Sequence, residues 1–116
     1  MNENELSKIV VDCIFKVHKN LGPGLLESAY EECLFYELSK TNLNIERQKP
    51  LPLFYETIRM EIGYRLDFLI DNKVVIEVHK AQVITYLKLS GTKLALLVNF
   101  NVVLIKDGIK RIVNNL

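Results

Sequence analysis

Only two cysteines occur in the 116 residues, Cys13 and Cys33, and they share no metal-ligand spacing. That excludes a disulfide scaffold and a thiolate zinc site, and leaves both as small apolar residues of helical stretches. No apolar run approaches the roughly 20 residues of a membrane span, and the first residues lack a signal-peptide pattern. The expectation is a cytoplasmic protein with no membrane partner. An excess of charge is missing too: 15 Lys and Arg stand against 14 Asp and Glu, a formal net charge of +1. Without a general field, any contact with nucleic acid must rest on a local patch. There is no repeat, low-complexity tract or linker, so residues 1–116 are expected to form a single domain with a modest core. There is also no Ser-His-Asp arrangement, Cys-His pair, dinucleotide fingerprint or Walker loop, which sets aside the commonest nucleophilic and nucleotide-cofactor chemistries.

What the chain does have is a dense stretch from Gly63 to Gly91. It reads as strand, tight turn, strand, helix. Each strand carries one carboxylate flanked by apolar residues: Asp67 lies between Leu66 and Phe68, and Glu77 between Ile76 and Val78. A carboxylate inside a buried strand is costly unless something positive meets it. Side chains alternate faces along a strand, so the turn decides whether the two acids meet. A three-residue loop, Asp71-Asn72-Lys73, pairs Ile70 with Val74 and sets Asp67 opposite Glu77. Asn tolerates the left-handed backbone that such loops need. Like charges facing each other destabilise a sheet, so the pair points to a cation. On this alternation Tyr64, Leu66, Phe68 and Ile70 share one face, and Arg65, Asp67 and Leu69 the other.

Helical periods precede this stretch. Leu6, Ile9, Val10, Cys13, Val17 and Leu21 mark a helix over 5–21, with Asn4 as its cap and His18 solvated near its negative end. Gly22-Pro23-Gly24 ends it. A second helix runs over 25–39 with Leu26, Ala29, Tyr30, Cys33, Leu34 and Leu38 as its stripe. Glu27 falls at the stripe's edge, in the first turn, while Glu31, Glu32 and Glu37 read as a solvated face. The two helices are free to pair or to flank a sheet. Ile45–Tyr55 is extended, and Pro50 and Pro52 confine it to an edge. Ile58–Ile70 is a long strand with Gly63 as a bulge. A third helix is expected over 80–89, ended by Ser90-Gly91. Strands follow at 93–100, 102–105 and 109–113, with Asp107-Gly108 turning between the last two. The class is α/β (α+β), a sheet with helices packed on it. The tyrosines are core or rim aromatics rather than a base-stacking platform.

Taken together, these residues resemble a known family. Gly24-Leu25-Leu26-Glu27-Ser28-Ala29-Tyr30 is similar to the pattern that names the GxxExxY proteins. The likeness continues through Gly63-Tyr64-Arg65-Leu66-Asp67, Val75-Ile76-Glu77, Ala81-Gln82, Thr85–Leu89, Asn99-Phe100-Asn101 and Asp107–Arg111. Those proteins look like small members of the PD-(D/E)XK nuclease-like superfamily. The resemblance implies a restriction-endonuclease-like core with a mixed β-sheet flanked by helices. It implies that Asp67, Glu77 and Glu27 bind the metal, with Gln82 beside them. Carboxylate oxygens suit Mg²⁺, with Mn²⁺ as a substitute.

One element departs from the pattern. The family places a Lys two residues after the third-strand acid. Here His79 stands there and Lys80 follows. By the same resemblance, a connection of roughly nine residues before the Ala-Gln helix is missing, although strand-to-helix links usually keep a couple. Three readings stay open: a deletion that removed the Lys, Lys80 reaching the site from the helix start, or a loop left out of the sequence. The functional expectation is a Mg²⁺-dependent nuclease, inactive if the Lys is indispensable, acting on DNA more than RNA. Its catalytic set would be Glu27, Asp67, Glu77, Lys80 and Gln82. The alternatives are a non-catalytic module, in which Lys88, Lys93, Lys106, Lys110 and Arg111 meet phosphates or merely face solvent, and a homodimer paired through the last strands.

Overall fold

Asn2, rather than Asn4, starts the first helix of the computed structural model, which describes residues 1–79 and 81–116. Its side chain accepts from Glu5 N, and the Glu5 carboxylate accepts from Asn2 N, closing a capping box around α1 (Glu3–Leu21). His18 is not solvated. It is buried, with Nε2 2.8 Å from the Val102 carbonyl, because the 102–104 loop folds back over the end of α1. The second helix, α2 (Glu27–Ser39), begins after the Gly-Pro-Gly break, so Leu25 and Leu26 stay outside it and exposed. The Tyr30 hydroxyl staples that break: it donates to the Gly22 carbonyl at 2.5 Å and accepts from Leu25 N at 3.1 Å. Tyr30→Phe keeps the ring stacked on Phe100 but loses both bonds. It is expected to cost about 1–2 kcal/mol in urea unfolding.

A mixed sheet of five strands carries the rest, in the order β1-β2-β3-β4-β5. They are β1 (Ile45–Tyr55), β2 (Ile58–Ile70), β3 (Val74–Glu77), β4 (Leu94–Val98) and β5 (Ile109–Val113). β1, β2 and β3 form an antiparallel meander. β3 and β4 are parallel, joined across the sheet by α3 (Val83–Ser90), and β5 returns antiparallel. This is the α+β sheet with packed helices expected from the residues, and it is consistent with the restriction-endonuclease-like core that the resemblance implied. The β2–β3 turn closes as expected: Ile70 pairs Val74, and Asp71 and Asn72 both take positive φ. Gly63, at φ 93°, lies in the β2 bulge opposite the Leu51–Leu53 irregularity of β1. Gly91 ends α3 in the left-handed conformation.

Three expectations need correction. α3 begins at Val83, three residues after Lys80. Residues 102–105 form no strand; they run as a loop into a 3-10 turn, Ile105–Gly108. That loop is closed by Asn99 N donating to the Gly108 carbonyl, and a β-branched apolar run is as compatible with a packed loop as with a strand. The facing of β2 also switches at Asp67. Phe68 and Ile70 enter the core under α1 and α2, but Leu66 and Tyr64 join Leu69 and Val75 in the core under α3. Opposite the switch lies Gln48, between the pairs Arg47–Phe68 and Lys49–Leu66, with φ at 52°. A left-handed residue inside a strand rotates the local pleat, and strict alternation fails there. α1 and α2 lie together on one face, α3 on the other. Among the described residues no helix is long and apolar enough to cross a membrane.

Candidate metal centre

The β2–β3 register carries Asp67 opposite Glu77, and both side chains are buried, at 6 % and 1 % exposure. Asp67 N donates weakly to both Glu77 carboxylate oxygens, at 3.3 and 3.4 Å. The Asp67 carboxylate turns toward the end of β3. Its Oδ2 accepts from Val78 N at 2.8 Å and His79 N at 3.0 Å, and lies 3.2 Å from His79 Nδ1. Val78 and His79 offer these N–H groups because the chain leaves the sheet at Glu77.

Glu31 is the residue that helical periodicity missed. It faces the sheet from α2 at 5 % exposure, one turn after Glu27. Arg47 of β1 donates to its Oε2 from Nε at 2.9 Å and from Nη2 at 2.6 Å; the same Nη2 reaches Glu32 Oε1 at 2.6 Å. Gln48 Nε2 bridges the two acids, 2.7 Å from Glu31 Oε1 and 3.3 Å from Asp67 Oδ1. The left-handed backbone of Gln48 thus aims its amide between them. Glu31, Asp67 and His79 bring one donor atom each within 4.8 Å of one another.

The expected site residues are therefore placed unequally. Asp67 and Glu77 meet. Glu27 is exposed at the start of α2 and stays outside the Glu31–Asp67–His79 trio, although its charge reaches the His79 ring. Gln82 is exposed at the cap of α3, and its side chain bonds to none of the described acids. Lys80 lies outside the described residues.

Electrostatics divide the two strand acids. For Asp67, burial pushes the carboxyl up, but the N–H groups of His79 and Val78, with Glu77 and the His79 ring, outweigh it and hold it below the usual range. For Glu77, burial first and the Asp67 charge second push the carboxyl up to about 9. Without a cation the pair thus favours sharing a single proton, with Glu77 pushed toward its neutral form and Asp67 toward its charged one. Burial lowers the His79 ring, but the hydrogen bond and charge of Asp67 raise it further, so the net shift is upward.

This chemistry fits a hard divalent cation. The clustered donor atoms are carboxylate oxygens of Glu31 and Asp67 with a ring nitrogen of His79, and Glu77, opposite Asp67, is a buried carboxyl that must hold either a proton or a positive neighbour. The fold and the acid cluster define a nuclease-like domain of the restriction-endonuclease type. Residues 4–112 match the family model described as the PD-(D/E)XK nuclease superfamily, and the chain belongs to that superfamily. Its members usually use a divalent metal. No curated protein and no solved structure matches the chain.

Proposed function

We propose that this protein is a metal-dependent nuclease that hydrolyses phosphodiester bonds at the Asp67–Glu77 pair. The observation that supports it best is the clustering of Glu31, Asp67 and His79 at the end of β3, with the buried Glu77 carboxyl meeting Asp67 from the neighbouring strand. A divalent cation at these oxygens would supply Lewis acidity, activating water and offsetting charge on the phosphate. Asp67 and Glu77 would hold it, with Glu31 or Glu27 completing the shell. Asp67 is kept ionised by the Val78 and His79 N–H groups, and Gln48 fixes its distance from Glu31. His79, at the position of the motif Lys, offers a ring held toward its charged form beside Asp67.

In this reading the chain is one domain over 1–116, a GxxExxY protein of the cytoplasm, using Mg²⁺ or Mn²⁺ on DNA in preference to RNA. The test is cleavage of single- and double-stranded DNA and RNA with Mg²⁺, Mn²⁺ or EDTA, beside Asp67→Asn. Cutting that needs the ion and vanishes in the variant is the required result; cutting that survives Asp67→Asn defeats the assignment. A second reading, a non-catalytic nuclease-fold module, is favoured by the missing strand Lys. His79→Lys separates the two: activity gained only in that variant would make the natural chain the silent form. A homodimer would pair the β5 edge, and light scattering giving a monomer rejects it.

A further inference from the structure

The carboxyl ends of parallel β3 and β4 open into a cavity of about 350 Å³, bounded by α2 on one side and the 3-10 turn with β5 on the other. Crevices outside the carboxyl ends of parallel strands are where open α/β sheets bind ligands, and the volume lies in the range of about 300–1,000 Å³ for small-molecule sites. This cavity adjoins the metal centre. Val78 lines it and also donates its N–H to Asp67, and Glu27 lines it while its charge reaches His79.

Its polar groups have a definite sense. Asn101 Oδ1 accepts from Gly24 N at 2.7 Å, and Asn99 Oδ1 accepts from Asn101 N at 3.0 Å. Both amide oxygens are thereby used by the protein's own backbone, which leaves each NH₂ as the donor available to a ligand. Lys110 adds a cation that forms no ion pair among the described residues. It sits in one row of the sheet with the acids: Glu77 pairs Leu97, and Leu97 pairs Lys110. Against these donors stand two acceptors, Glu27 and Asp107. Two carboxylates disfavour a bare anion, whereas a group carrying one phosphate together with hydroxyls and ring N–H donors satisfies both sets.

We propose that this cavity is the subsite for the nucleotide next to the scissile phosphate, and that Lys110 supplies the phosphate-facing cation absent from the third strand. The proposal rests on the nuclease reading for its place in a reaction but not for its binding chemistry. The experiment is therefore done first without metal. The full chain is titrated in EDTA with a nucleoside 5′-monophosphate and, separately, with inorganic phosphate, followed by amide chemical shifts. The expected result is shifts at Asn99, Asn101 and Lys110, tighter binding of the mononucleotide than of phosphate, and a loss of roughly tenfold or more in Lys110→Ala, as one charge-assisted hydrogen bond implies. Lys110→Arg should retain most of the affinity, with thermal stability unchanged in both variants.

Shifts elsewhere, equal affinity for phosphate, or an indifferent Lys110→Ala would overturn it. The Mg²⁺ cleavage assay then divides the two ideas. Mononucleotide binding without cleavage by the natural chain leaves the subsite standing and removes the nuclease reading. Cleavage with the same KM and kcat in Lys110→Ala removes the subsite and leaves the nuclease.

Discussion

Glu77→Gln is expected to stabilise the metal-free protein at pH 8 and to leave it nearly unchanged at pH 5. The Glu77 carboxyl is raised from an ordinary value of 4.5 to about 9, by burial and then by the charge of Asp67. A group raised on folding contributes fully below its unfolded value, and that contribution is lost as pH rises toward the folded value. Between about pH 4.5 and 9 the native chain should therefore lose stability on the order of 1.4 kcal/mol per pH unit from this group. Gln keeps the shape and a donor toward Asp67 but cannot ionise, so the slope should vanish. At pH 7 the gain would be on the order of 3 kcal/mol. Urea unfolding in EDTA at several pH values reads it directly. Parallel slopes for the two proteins would show that Glu77 titrates normally. On the proposed metal-dependent reading, Mg²⁺ should raise the melting temperature of the natural chain and not that of the variant, since a neutral amide no longer offers a charge.

Arg47→Ala should be the most damaging change at the centre's outer wall. Arg47 neutralises Glu31, whose side chain is only 7 % exposed, and its guanidinium stacks 5.1 Å from the Phe35 ring. Removing one member of such a pair leaves the other buried and charged, which costs about 3 kcal/mol or more. Glu31→Gln in the same chain should recover at least half of that loss, because an amide tolerates burial with the Gln48 bond alone. The measurement is a double-mutant cycle in urea. Additive effects would mean that the pair is screened and contributes little. Mg²⁺ should stabilise Arg47→Ala more than it stabilises the natural chain, since Glu31 then lacks its fixed counter-charge.

The sequence made the heart of this site legible because local rules set it. Apolar alternation, a three-residue Asp-Asn-Lys turn and two embedded acids were enough to place Asp67 opposite Glu77. Gly63 and Gly91 marked a bulge and a helix end for conformational reasons that need no tertiary context. Glu31 was illegible for the opposite reason. A glutamate among Glu27, Glu32 and Glu37 on a helix has solvent as its default. Its burial depends on Arg47 and Gln48, which only the folding of β1 beneath α2 brings to it. His18 hid in the same way, because its partner Val102 lies 84 residues away. The face switch at Asp67 depended on the left-handed Gln48 in the neighbouring strand, and a period-two reading of β2 alone has no term for that.

The single parallel pairing, β3 with β4, sets an order on the chain's assembly. β1, β2 and β3 are joined by short turns and pair with near neighbours, whereas β4 meets β3 only after α3 has crossed the sheet. Contacts between near neighbours close early, and crossover pairings close late. Amides of β2 and β3 should accordingly gain protection before those of β4 and β5 in pulse-labelled exchange during refolding; simultaneous protection would contradict this. The acids would then be fixed while the strand that completes the crevice is still arriving. Substitutions in β4 and β5 would slow the completion of that crevice and leave the carboxylate hairpin's own formation untouched.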